Sequence, residues 1–256
     1  MRRTPLVLIA VVALALFQAQ ARADYVGSAD SYAVLGGSNV TNTGTTVLNG
    51  NLGLYPGTTI NGFPPGIVNG TINNGNSAAQ QAQAGALLGY NTLAGLSSPG
   101  GNNLTGQDLG SLVLLPGVYH FDSSAQLTGT LLLNAQGNSN AQFIFQIGST
   151  LTTASASDVV LENSAQDSNV YWQVGSSATL GTTTDFAGTI LADDSITLNT
   201  GADITDGRAL ALNGAVTLDT SNITDPQVPE PATYLLLGLG LAMMLAFTRK
   251  ARLSAT

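Results

Sequence analysis

Threonine is the residue type whose spacing in this chain stands out, because a hydroxyl and a methyl recur together at matching positions. Three short segments share one pattern: Ala178-Thr179-Leu180, Ile196-Thr197-Leu198 and Val216-Thr217-Leu218. Each sets one threonine between two apolar residues. Side chains of a strand alternate between faces, so the flanking pair points inward and the threonine outward. The threonines follow one another at a near-constant step, about one turn of a β-solenoid. A second pattern moves with the first, since Gly188-Thr189-Ile190-Leu191-Ala192 returns one such step later as Gly207-Arg208-Ala209-Leu210-Ala211. Stacked turns would align the threonines in a flat, uncharged row of hydroxyls and methyls.

Other chemistry finds less support. Asp193, Asp194, Asp203, Asp206 and Arg208 suggest a Ca²⁺-assisted polysaccharide lyase, which needs clustered carboxylates and a base beside the sugar. These acids fall at or near expected corners, where Asp caps turns. No catalytic residue is assigned, and the chain is not read as an enzyme. His120 is the only histidine, so neither a His-based metal site nor a hydrolytic triad finds its set. It follows Tyr119 in a strand and reads as a surface residue. Trp172 reads as core and not as a carbohydrate platform. No cofactor or metal is expected.

The elements that must position the row are strands. Ser111 to Phe121, Leu127 to Leu133, Gln142 to Ile147, Val159 to Leu161 and Val170 to Val174 are short, β-branched and bounded by Gly, Asn, Asp and Ser. Asn-Gly pairs at Asn49, Asn61, Asn69, Asn74 and Asn213 supply corners tolerant of positive φ. A β-sandwich has similar turn density, but sandwich strands need not repeat each other at a near-constant step. One segment departs from this pattern. Ser77-Ala78-Ala79-Gln80 reads as a capping box, and Ala79, Ala82, Ala86, Tyr90 and Leu93 follow at helical spacing, predicting a helix over about 77–96. Gly85 and Gly89 each cost a helix about 1 kcal/mol against alanine. Their spacing by four predicts a groove that lets the helix approach a sheet. Phe143-Ile144-Phe145-Gln146-Ile147-Gly148 parallels Val170-Tyr171-Trp172-Gln173-Val174-Gly175, and the offset between them is the same as from Thr152 to Thr179. With Phe143, Phe145, Val170 and Trp172 inward, Ile144 and Tyr171 point outward and need the helix as cover.

Composition narrows the partners. The chain has 256 residues and 44% hydrophobic residues, enough for one sizeable core. From Asp24 to Gln227 the only cation is Arg208 against fourteen carboxylates, a net charge of −13. Nucleic-acid binding needs clustered Lys and Arg and is excluded, and an anionic membrane surface is equally unsuited. The absence of cysteine rules out disulfides and thiolate metal sites. Met1-Arg2-Arg3, the apolar run Leu6 to Phe17 and Ala21-Arg22-Ala23 read as a secretory signal over 1–23. At the other end, Val228-Pro229-Glu230-Pro231 precedes an apolar-rich stretch, 232–247, and the basic Arg249-Lys250-Ala251-Arg252. That stretch is marginal beside the roughly 17–25 residues needed to span a bilayer. A plain membrane anchor with positive-inside flanking charge is one reading. The ordered triplet over 228–256 resembles the PEP-CTERM sorting tail of Gram-negative bacteria. The resemblance implies a transient inner-membrane anchor, processing by an exosortase, and delivery to the cell surface or extracellular matrix.

The segment between these addresses, 24–227, carries a closer resemblance. Ser31-Tyr32-Ala33-Val34-Leu35, Asn51-Leu52-Gly53, Pro116-Gly117-Val118-Tyr119, the two Phe143 and Val170 strands, Gly188-Thr189-Ile190-Leu191-Ala192 and Asn213-Gly214-Ala215-Val216-Thr217-Leu218 are similar to the ice-binding-like β-solenoid family of microbial adhesion and antifreeze proteins. The family implies an irregular right-handed β-solenoid of triangular section with one long helix along a face. It also implies that one flat face adsorbs to ice. By that resemblance Thr152, Thr179, Thr197 and Thr217 are the ice-contacting residues, with Thr150, Ser195, Thr59 and Asn61 added from neighbouring positions. Members of the family often carry Thr, then Ala or Gly, any residue, then Thr or Asn. Here Thr43-Gly44-Thr45-Thr46 fits, Thr200-Gly201-Ala202-Asp203 fails at its last position, and Asp219 places a charge two residues beyond Thr217. Modest activity is therefore expected. Two functions fit the chain: an exported, monomeric ice-binding protein that inhibits ice growth and recrystallisation, or a matrix protein attached within an exopolysaccharide layer.

Overall fold

The structure, a computed structural model, describes residues 25–225. The expected signal (1–23), the tail (228–256) and its apolar stretch (232–247) lie outside the described residues. Among the described residues no helix is long and apolar enough to cross a membrane.

The described residues are mainly β with one long helix, α1 (Ser77–Ala94), and every strand pairing among them is parallel. Three ladders carry the strands. The threonine ladder runs β10 (Ala125–Leu127), β13 (Leu151–Thr153), β16 (Ala178–Leu180), β18 (Ile196–Leu198), β20 (Val216–Asp219), β2 (Asn39–Thr43), β5 (Thr59–Asn61). The helix-side ladder runs β9 (Gly117–Phe121), β12 (Phe143–Ile147), β15 (Val170–Val174), β17 (Asp185–Ala192), β19 (Asp203–Ala211), β1 (Tyr32–Gly36), β4 (Asn51–Leu54), β7 (Ile72–Asn74). The third runs β8 (Val113–Leu114), β11 (Thr130–Asn134), β14 (Asp158–Glu162), the starts of β17 and β19, β21 (Asn222–Thr224), β3 (Val47–Asn49), β6 (Ile67–Asn69). A register shift at Ala187/Gly188 divides β17 between two ladders. Gly188 there has φ +97, and any side chain would strike Val170.

The ladder order does not follow the chain. The first passes, β1–β3 and β4–β7, lie beyond the last one, and β20 pairs with β2. The chain must then return from β7 at one edge to β8 at the other. Helix α1 spans this distance. Its 18 residues extend about 27 Å, and the six gaps across the threonine ladder measure about 29 Å. Its contacts run from β7 through β4, β1, β17 and β15 to β12.

The core confirms the inward and outward assignments. Phe143, Phe145, Val170 and Trp172 belong to the central cluster, and Ile144 and Tyr171 to a second cluster with Ala82, Ala86 and Leu93 of α1. Trp172 is fully buried, stacked on Phe145 at 3.9 Å, and its indole Nε1 donates to Ala187 O.

Two details of the helix differ from expectation. The cap is Asn76, whose Oδ1 accepts from Ala79 N at 3.0 Å, and Ser77 is already helical. Asparagine caps as well as serine and sits where the chain is still extended. The helix ends at Ala94, two residues short, with Gly95 as its cap. The glycine groove also has another occupant. A Cβ on Gly89 would lie 1.9 Å from Tyr25 O, and one on Gly85 2.5 Å from Ser28 Oγ, so the pair seats the N-terminal segment and not the sheet. Ala82, Ala86 and Leu93 make the sheet contact. Gln146 Nε2 braces the helix end by donating to Leu93 O and Leu96 O. Leu93 O also accepts from Leu96 N, so the glutamine reinforces a turn that the backbone has already closed.

Arg208 is structural. It is 1% exposed, and its Nη2 pairs with Asp30 Oδ1 at 2.6 Å and Asp225 Oδ1 at 2.8 Å, joining the two ends of the described chain. One guanidinium thus serves two carboxylates. Burial pushes the Asp225 carboxyl up to about 6, with Arg208 opposing and Asp30 adding to it. Burial, followed by the charge of Asp206, pushes Asp167 up to about 7. A carboxyl whose folded pKa is raised favours the folded state while protonated, and that stability is lost as pH rises through the folded value. Asp122 (hydrogen-bonded by Asn103, His120 and Thr105) and Asp108 (where burial is outweighed by hydrogen-bond donors from Gly110 and Thr128) are shifted the other way and titrate below this window. Melting temperature is therefore expected to fall between pH 5 and pH 8, with a shallower fall in Asp225→Asn. A rise over that range in the wild type would contradict the assignment.

Candidate functional site

The threonine ladder places one residue from each strand at the centre of its outer face. Thr152 is in register with Thr179, Thr179 with Thr197, and Thr197 with Thr217. Alternation explains the orientation: in β13, β16, β18 and β20 the flanking residues are buried and the threonine is half-buried or exposed. The row extends past these four. Thr217 pairs with Thr41, Thr41 with Asn61, and at the other end Thr152 pairs with Gln126. Six neighbouring positions, from Thr152 to Asn61, carry no charge.

Hydrogen bonding divides the expected residues into two kinds. No hydrogen bond among the described residues engages the hydroxyls of Thr152, Thr179, Thr197 or Thr217. The column two residues earlier is tied into the fold. Thr150 Oγ1 donates to Ser124 Oγ at 2.8 Å, and Ser195 Oγ accepts from Ala215 N at 3.0 Å. Ser177 Oγ accepts from Ser195 N in the same manner. Thr59 is exposed and in register with Asn39, which places it in this column, one residue pair from Asn61.

Sequence reasoning missed Thr41 and Gln126. Val40-Thr41 repeats the apolar–threonine frame, but Asn42 stands where leucine stands elsewhere. Asn42 is buried, and its Nδ2 donates to Gly44 O and Gly62 O, so a polar residue fills an inward position. Gln126 lies in the frame Ala125-Gln126-Leu127, legible once glutamine is allowed at the outward position. Of the motif Thr43-Gly44-Thr45-Thr46, only Thr43 lies on the outer face of the ladder, at the end of β2, and the rest turns the corner. Gly44 turns the chain at φ +80, and Thr46 is fully buried with its Oγ1 accepting from Ser221 N.

Three of the acids considered for lyase chemistry, Asp193, Asp194 and Asp203, stitch one pass to the next. Asp193 Oδ1 accepts from Asn213, Asp194 Oδ2 from Ser176, and Asp203 Oδ1 from Asn222 N at 2.6 Å. His120 is half-exposed between Gln146 Oε1 and Asp122 Oδ1.

Residues 34–224 match the Ice-binding-like family. The chain is 52% identical to an ice-binding protein of Nostoc sp. (strain HG1), over 95% of this chain and 94% of that one. This chain belongs to the ice-binding-like family. Among solved structures it is similar to an ice-binding protein from an Antarctic biological consortium, at 45% identity and a TM-score of 0.76, covering 80% of this chain and 91% of that one. It is also similar to the ice-binding protein of the Antarctic ascomycete Antarctomyces psychrotrophicus, at 36% identity and a TM-score of 0.77, covering 81% of this chain and all of that one. Residues 227–250 match the PEP-CTERM protein-sorting motif. This member of the ice-binding-like family therefore combines that fold with a sorting tail.

Proposed function

We propose that this chain is an exported, monomeric ice-binding protein that adsorbs to ice through its threonine ladder and inhibits ice growth and recrystallisation. The carrying observation is the in-register run Thr152, Thr179, Thr197 and Thr217 on a parallel ladder, whose hydroxyls make no hydrogen bond among the described residues. In a right-handed β-solenoid of triangular section, with the helix along one face, this row occupies a second, uncovered face. Equivalent residues repeat at about 4.7–4.9 Å across strands and about 6.6 Å along them, a rigid grid of the same order as ice repeats. Each hydroxyl anchors a water and each methyl restricts the waters around it. β-Branching limits the rotamers, so little side-chain freedom is lost on contact. One such hydrogen bond nets about 0.5–1.5 kcal/mol, too little to hold alone. The row holds because its contacts act together on one lattice. Thr152, Thr179, Thr197 and Thr217 carry the contact, Thr41, Thr59 and Asn61 extend it, and Thr150 and Ser195 support it.

Residues 24–227 at micromolar concentration are the material for the test. Slowed recrystallisation with shaped crystals supports the reading. Unaltered ice growth would leave the matrix function, in which the same scaffold serves attachment within exopolysaccharide.

Export rests on the 1–23 signal and the 228–256 tail. The tail would hold the chain transiently at the inner membrane through 232–247 until an exosortase removes it, delivering the protein to the surface or extracellular matrix of a Gram-negative bacterium. Mass spectrometry of protein from its host is expected to find a C-terminus near Pro231. A mature form ending at Thr256 would mean a simple anchor.

A further inference from the structure

The uncharged row has one charged neighbour. Asp219 closes β20, two residues beyond Thr217 on the same outer face and in register with Thr43 of β2. It lies about 6.6 Å along the strand from Thr217. Its carboxylate is engaged on both oxygens: Thr200 Oγ1 donates to Oδ2, and Thr220 Oγ1 donates to Oδ1 at 3.1 Å. Thr200 and Thr220 are both exposed. Two solvent-facing hydroxyls beside the row are thus turned toward a carboxylate, while the four central ones make no bond within the protein.

We infer that Asp219 is an affinity-limiting residue of the ice contact, confining it to the central row and the column on its far side. The inference rests on the ice-contact reading above. Two physical effects act in the same direction. A carboxylate holds its own hydration, and bringing it against a solid lattice removes part of that hydration without an opposite charge in return. It also accepts the protons of Thr200 and Thr220, leaving those hydroxyls with less to offer lattice water. Thr43, in register with it, is left without a matching neutral neighbour. The carboxylate offsets this by cross-linking successive passes, since Thr200 and Asp219 are 19 residues apart and bonded side chain to side chain.

The test is a gain of activity. Asp219→Asn keeps the shape and one acceptor but removes the charge. Asp219→Thr gives β20 the alternate-threonine spacing that Thr41 and Thr43 have on β2. Without the charge's desolvation cost, each variant is expected to raise thermal hysteresis about twofold at equal concentration. Asp185→Asn removes the same charge from exposed Asp185 on the third ladder and is expected to change nothing, separating a local effect from net charge. Thr200→Val, made with Asp219 intact, is expected to leave activity unchanged because that hydroxyl is already committed. Activity at or below wild type in both Asp219 variants, at unchanged melting temperature, overturns the inference. A loss in Thr200→Val overturns it even if the Asp219 variants fold poorly. An inactive wild type removes the ice-contact reading and this inference together. An active wild type with indifferent Asp219 variants removes the inference alone.

Discussion

Replacing Thr197 with tyrosine is expected to abolish most ice activity while leaving the fold intact. Thr197 sits in mid-row, in register with Thr179 on one side and Thr217 on the other. A ring standing up from this position holds both neighbours away from the lattice. Two lost contacts at about 1 kcal/mol each exceed the 1.4 kcal/mol that corresponds to tenfold, so at least about tenfold more protein should be needed for the same effect. Thr217→Tyr should behave alike, since Thr197 and Thr41 flank it. Both side chains point outward between buried neighbours and make no bond to the protein, so stability should change by no more than about 0.5 kcal/mol. Recrystallisation assays and thermal melts on the same samples check both halves. Full activity in both tyrosine variants would place the ice contact on another surface.

The opposite pattern is expected of Ile144→Asp. Ile144 is 3% exposed beneath α1, among Ala82, Ala86, Leu93 and Tyr171. Arg208 is the only cation of the described chain and is already shared by two carboxylates. A carboxylate at this position has no partner. It must stay charged in an apolar seam or fold protonated, and it also forfeits the packing of isoleucine. Either route costs at least about 3 kcal/mol. For a domain of this size that lowers the melting temperature by about 6–12 °C. Ice activity per folded molecule should be unaffected, because the helix-side ladder and the threonine ladder are different surfaces. A melt within a degree of wild type would mean that the helix does not seal this seam.

These two substitutions draw on information of different origin. Which face each side chain occupies was legible in the sequence, because a strand has period two: Ile196-Thr197-Leu198 admits only one arrangement with its apolar pair buried. The recurring offsets between like segments also placed Thr152, Thr179, Thr197 and Thr217 in one column, since parallel strands repeated at matching offsets stay in register. The helix followed from its own helical spacing, and the need for it over Ile144 and Tyr171 from the strand alternation. The tertiary structure decided what depends on strands far apart in sequence. Parallel pairing leaves no local mark of its partner, so nothing in Asn39–Thr43 says that it lies beside β20, where Thr41 of the first pass meets Thr217 of the last. Thr41 therefore entered the row only with the fold, and the row then ran unbroken to Asn61. The same holds for hydrogen bonds between passes. Ser195 and Thr197 read alike as outward hydroxyl residues, yet the neighbouring pass supplies Ala215 N to one and nothing to the other. It holds too for the glycines of α1, whose spacing was read as a close approach to a sheet and which instead seat the N-terminal segment at Tyr25 and Ser28. Side-chain alternation is a property of each strand alone, whereas the identity of a neighbour is a property of how the whole chain stacks.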